Sequence, residues 1–163
     1  MAKSTSRVFA TWQALYDLLE AQTWPGHSTT GQTPEVVFGA TRDLLLEAVV
    51  VVGTPPVGPT LEWVTNLSEE DVFSLQVRVV SEVPGVDIGE CIARVAELAD
   101  VVQTSLRSTA TGRMTNAFNG ASPTNPVPGV ISWRVSQVRS TAYPTTEGFG
   151  GYAELDVLFK SRI

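Results

Sequence analysis

Reactive side chains are scarce in this chain. It has one cysteine and one histidine in 163 residues. A single cysteine excludes an internal disulfide. Helical spacing puts Cys91 on an apolar face, where it reads as inert core. His27 lies in a loop rich in Gly, Ser and Thr and reads as an ordinary exposed residue. Without a nearby cluster of cysteines or carboxylates it lacks metal-ligand spacing. A serine triad would have to use His27, and no G-x-S-x-G stretch presents a nucleophile. Neither G-x-x-x-x-G-K-[ST] nor G-x-G-x-x-G occurs, so no phosphate-cradling loop is expected. "GFGG" (148–151) reads as hairpin flexibility. "EED" (69–71) reads as a solvated strand start that discourages wrong pairing. Nothing points to a catalytic carboxylate pair. The expectation is a protein that is not an enzyme, with no cofactor and no metal.

Charge is also sparse, at 17% of residues against 43% hydrophobic. That balance suits one globular domain over 1–163, with a surface that partners partly cover. A chain of this size buries about 70% of its unfolded surface, enough for a real core. The longest apolar run, Leu44 to Gly53, is far shorter than the roughly 20 residues of a membrane helix. No signal peptide or membrane association is expected. The net charge of −6 is uneven: residues 1–100 hold 14 acidic and 5 basic groups, and residues 101–163 hold 3 and 6. An acidic chain does not hold nucleic-acid phosphates by bulk charge. A split in sign suits head-to-tail contact between copies, unless the two halves interleave in the fold.

Periodicity supplies the elements. Val8, Trp12, Leu15, Tyr16 and Leu19 recur at three and four residues, predicting a helix over Ser6–Gln22. "EVVFG" and "LEWVTNL" read as short strands. "LLLEAVVVVG" reads as a strand apolar on both faces, and so central or covered on both sides. Over Glu69–Val83, Phe73, Leu75, Val77 and Val79 alternate with Ser74, Gln76 and Arg78, which marks a strand with one face in the core. Asp87 and Glu90 form a capping-box pattern ahead of a second helix. Its stripe is Ile88, Cys91, Ile92, Val95, Leu98, Ala99, Val102 and Leu106. Glu90, Arg94 and Glu97 are expected to pair along the opposite face, and Val101 falls off the stripe, where a partner would cover it. Two alternating segments close the chain, "GVISWRVSQVRSTA" and "GYAELDVLFKSRI", joined by "YPTTEGFG". They predict an antiparallel hairpin in which Glu154 or Asp156 opposes Arg134 or Arg139. The fold class is therefore α+β: a mixed, mainly antiparallel sheet, two helices packed on one face, and a C-terminal β-hairpin.

Between helix and hairpin lies "STATGRMTNAFNGASPTNPVPG" (108–129), with one charge, Arg113, and few large apolar residues. Loops of this length are usually functional or disordered. This one is expected to be flexible in the free subunit and ordered by a neighbour. Met114 and Phe118 would be its anchors and Arg113 its polar contact. Lys160 and Arg162, near the chain end, are further interface candidates.

The succession "DVFSLQVRVVSEVPGVD", "CIARVAELADVVQTSLR", a glycine-rich gap, "VISWRVSQVRS" and "EGFGGYAELDVLFKSRI" resembles the tail terminator family of long-tailed bacteriophages, particularly the divergent versions of actinobacterial phages. "EVVFG" and "EAVVVVG" stand upstream after an N-terminal helix. The likeness is one of order, length and texture over nearly the whole chain. It implies a virion protein assembled in the host cytoplasm, forming a hexameric ring at the head-proximal end of the tail. That ring would cap the tail tube protein, stop its polymerisation, and meet a neck or head–tail connector protein. Genome DNA would pass through the lumen without specific binding, and an acidic lumen would let it slide. The residues leave two other roles open: another ring-forming protein of the neck or tail tube, and a small-molecule binding domain with a pocket between sheet and helix.

Overall fold

The computed structural model describes residues 2–39, 46–53, 60–64, 68–107 and 130–162. The elements are α1 (Ala2–Glu20), β1 (Glu35–Phe38), β2 (Glu47–Gly53), β3 (Thr60–Val64), β4 (Ser68–Ser81), α2 (Ile88–Arg107), β5 (Val130–Thr145) and β6 (Gly148–Arg162). The strands form one mixed sheet in the order β1-β2-β4-β6-β5, with β3 pairing β4 beyond the end of β2. Among the described residues only β1 and β2 run parallel, and every other pairing is antiparallel. The predicted α+β architecture is the one adopted, with both helices on one face.

Strand alternation decides which face is which. Val49 and Val51, Phe73 through Val79, and Ala153 through Phe159 point every second residue toward the helices, and all are buried. From α1 come Leu15 and Leu19, and from α2 Val95, Leu98, Val102 and Leu106. Each such fully buried side chain contributes about 1.5–3 kcal/mol. Three tryptophans place their indole N–H groups on backbone acceptors, which they seek when removed from water, and two of them, Trp12 and Trp133, tie helix to sheet. Trp12 donates to Val51 O at 3.0 Å, Trp24 to Leu19 O at 2.9 Å and Trp133 to Leu106 O at 3.0 Å. β2 lies inside the sheet, and Ala48 and Val50 on its second face are buried too, in keeping with a run apolar on both sides.

The start of α2 is capped as its sequence implies: Asp87 Oδ1 accepts the Glu90 N–H at 2.8 Å. The hairpin turn is tighter than its eight-residue linker suggested. Thr145 pairs with Gly148 around Thr146 and Glu147, so Tyr143, Pro144 and Phe149 belong to strands. Pro144 is tolerated because β5 is an edge strand and needs no outward N–H there. Gly148, at φ 146°, stands where a Cβ would come within 3.1 Å of Val86 O, so the turn packs directly on the β4–α2 connection. The Gly85 N–H donates to Glu147 O across that contact at 2.9 Å.

Candidate functional site

Three places in the fold carry more polar or exposed chemistry than packing alone needs. The first is buried. Arg94, predicted on the solvated face of α2, is 4% exposed and points down onto the sheet. Its Nε donates to Glu47 Oε2 at 2.7 Å and its Nη2 to Glu47 Oε1 at 2.8 Å, a bidentate pair. Ser81 Oγ donates to the same carboxylate at 2.9 Å. The rest of the guanidinium donates to Pro25 O at 2.9 Å, to Gly26 O at 3.4 Å and to Glu97 at 3.2 Å. Every polar atom points at a protein partner, which makes this a clamp holding the 25–27 loop against α2 and β2. His27 corrects the sequence reading as well. It is 4% exposed, and its Nδ1 accepts the Thr29 N–H at 3.0 Å. Its backbone N–H donates to Gln32 O at 2.9 Å and its carbonyl accepts from Gly31 at 2.7 Å, so its loop closes on itself. Cys91 lies nearby against Ser81 O. Burial, with Glu47 and Glu82 close by, pushes its thiol pKa up, away from the thiolate a nucleophile needs.

The second place is the open face of the sheet, where β4, β6 and β5 present a polar ladder. Glu154 takes Arg78 at 2.8 Å from one side and Arg139 at 3.3 Å from the other. Asp156 meets Arg139 at 3.4 Å and accepts from Gln76 at 3.3 Å. Of the expected hairpin pairs, Arg139 forms with both acids, while Arg134 stands opposite Leu158 instead. At the ladder's end Tyr143 hydrogen-bonds Glu82, and burial beside that carboxylate raises the phenol pKa strongly.

The third place is a groove of about 340 Å³ between α2 and β5. Ile92, Ala96 and Asp100 stand on the helix wall and Val138, Ser140 and Ala142 on the strand wall, with Gly151 and Ala153 among the floor residues. Small floor residues open it. A Cβ on Gly151 would sit 3.0 Å from Cys91 Sγ and 3.2 Å from Val95. Ile92 is 54% exposed and Val138 46%, although the stripe reading put Ile92 in the core with Ile88, itself exposed. The helix lies mainly over β6, touches β4 and the Trp133 end of β5, and leaves Val138, beyond the bulge, exposed.

Val101 is half-buried and packs against the main core, at the margin of the helix stripe. Lys160 is half-buried on β6, paired in register with Val72 and Ser132. Arg162 stands in backbone register with Glu70 at the end of the same strand. Arg113, Met114, Phe118 and the whole 108–129 stretch lie outside the described residues. Sequence reasoning missed Glu47 as the partner of Arg94; the one signal was a lone acid opening an otherwise apolar strand. Among the described residues no three His, Cys, Asp or Glu side chains converge as a metal site, and no helix is long and apolar enough to cross a membrane. No protein-family model and no curated protein matches this chain.

Proposed function

We propose that this chain is a structural protein of a bacteriophage tail, a terminator whose copies close into a ring on the head-proximal end of the tail tube. The observation that carries the reading is the order of elements: a helix, short strands, a long strand, a long helix, a gap, and a long closing hairpin. That succession is the one on which the resemblance rests. Two further features support it. Among the described residues β1, β5 and the short β3 each pair on one side only, and a ring needs two different surfaces that meet head to tail. Its open face is a polar ladder suited to a wet interface or a lumen.

In this reading the ring is hexameric, ends tube growth and presents its other side to the neck or connector protein. Light scattering and negative-stain microscopy of the purified protein, alone and with tail tubes, test it. Closed rings that bind tube ends without growing are the expected result. Stacked, growing tubes would assign the chain to the tube itself. A monomer that ignores tube ends would overturn the reading.

The α2–β5 groove favours a second reading, a small-molecule binding domain, because its volume lies at the lower end of ligand pockets. That reading predicts a monomer whose melting temperature rises with a ligand.

A further inference from the structure

The outer surfaces of the two layers differ in the sign of the charge they expose. On the helix layer, Asp17 and Glu20 of α1 and Glu90, Glu97 and Asp100 of α2 are exposed. Among the described side chains neither helix exposes a base, since Arg94 is buried. The open face of the sheet reverses the sign. The exposed charges on its central and β5 strands are Arg78, Arg134 and Arg139. The acids between them are recessed. Side-chain exposure is 45% for Arg78 and 47% for Arg139, against 17% for Glu154 and 20% for Asp156. Arg134 stands opposite Leu158, and no acid pairs with it among the described residues. The sheet's exposed acids among the described side chains, Glu35 and Glu147, lie at its margins, at the start of β1 and in the hairpin turn. A guanidinium has five donors, so arginines standing above shorter carboxylates keep outer N–H groups for a further acid.

The uneven charge of the sequence therefore survives folding. Both helices come largely from the acid-rich first 100 residues, and Arg134 and Arg139 come from the basic remainder. The two surfaces lie on opposite sides of a two-layer domain.

We propose that the open sheet face of one copy docks on the helix layer of the next, with Arg78, Arg134 and Arg139 meeting the exposed acids of α1 and α2. The inference rests on the ring reading and names the two different surfaces that reading requires. Because they are back to back, the contact runs head to tail, and it closes into a ring where each step adds a rotation. The strand edges lie at the margins of the contact. Charge selects this arrangement over its rivals. Sheet face on sheet face would set arginines against arginines, and helix layer on helix layer would set acids against acids. Size fits as well. β4, β6 and β5, of 14, 15 and 16 residues, span roughly 650 Å² at ordinary strand spacing. A standard interface covers about 800 Å² per partner.

The test follows assembly of the full chain by light scattering and negative-stain microscopy, alone and with tail tubes. Arg134→Glu reverses the sheet face at the arginine without a paired acid. Glu90→Lys with Asp100→Lys reverses the helix layer without touching the Arg94 clamp. Each should raise the concentration needed for assembly at least tenfold, and a chain carrying all three reversals should recover most of that loss. Recovery is a readout that mere damage to the fold would not give. The wild-type chain should also dissociate in about 1 M salt, where screening acts within roughly 3 Å. Rings that form equally well in every variant and in high salt overturn the inference and leave the ring reading standing. Loss of assembly without recovery in the triple variant overturns it too. Arg134→Glu rings that form normally yet no longer bind tube ends would give the sheet face to the tube protein and overturn it as well. A wild-type monomer that ignores tube ends overturns the ring reading, and the inference with it.

Discussion

Arg94 with Glu47 and Arg139 with Glu154 are the same pair of residue types on opposite faces of one sheet. The first is sealed under α2, both side chains about 5% exposed or less, and its remaining donors are taken by backbone carbonyls. The second stands on the open face, where Arg139 is 47% exposed and Glu154 is shared with Arg78. Inside, water cannot replace a lost partner, so the pair acts as a unit whose halves are far more costly to separate than to omit together. Outside, water and salt replace either partner at little cost. The sheet thus uses one kind of contact for two ends: a fixed clamp on the core side and a polar surface open to other molecules on the far side.

The comparison breaks most visibly at Arg94. Arg94→Ala strands a buried carboxylate and should lose about 3–5 kcal/mol in urea unfolding, whereas Arg94→Met with Glu47→Leu should recover much of that loss. Next come neighbours on one strand. Leu155→Ala opens a cavity under the helices and should cost about 2–5 kcal/mol, while Glu154→Ala, one residue away on the open face, should cost about 1 kcal/mol or less.

A pH series sharpens the contrast. The phenol of Tyr143 is raised above its ordinary value of 10.0 in the folded state, first by burial and then by Glu82. A raised pKa gives stability that is whole below pH 10.0 and is lost progressively above it, as the unfolded chain ionises first. Tyr16 and Cys91 shift the same way. Denaturation midpoints should therefore fall in alkaline solution, and Tyr143→Phe should flatten part of that fall while costing about 1 kcal/mol at neutral pH. The smallest effect is the coupling of Arg78 with Glu154. A double-mutant cycle should give about 0.2–1 kcal/mol, vanishing in about 1 M salt, where screening acts within roughly 3 Å.

Much of the fold was legible because local pattern and tertiary demand agree. β4 alternates cleanly, and its Phe73, Leu75, Val77 and Val79 are the buried row. Asp87 caps α2 where the sequence places a cap. Arg139 meets Glu154 and Asp156 because hairpin register follows from a short turn. The site was less legible. Arg94 sits three residues from Glu97, which looks like a solvated helix pair, and only the distant Glu47 makes it a buried clamp. Ile88 and Ile92 satisfy a helical stripe, yet both are exposed, and Ile92 stands on the wall of the groove between α2 and β5. His27 reads as loop, and its burial depends on how that loop folds back and on the strand and helix beneath it.

The sequence by itself determined the elements, their order, the α+β class and the inward row of each long strand, because these follow from periodicities of about 3.6 and 2 residues along one chain. It also determined the scarcity of reactive side chains, which composition alone displays. Only the tertiary structure decided which partner each buried polar group finds, which edge of the sheet stays open, and that a groove lies between α2 and β5. Those outcomes join residues as far apart as Glu47 and Arg94, and Ile92 and Val138, and they depend on where the helix comes to rest on the sheet. No local pattern carries that position, because packing between layers sets it.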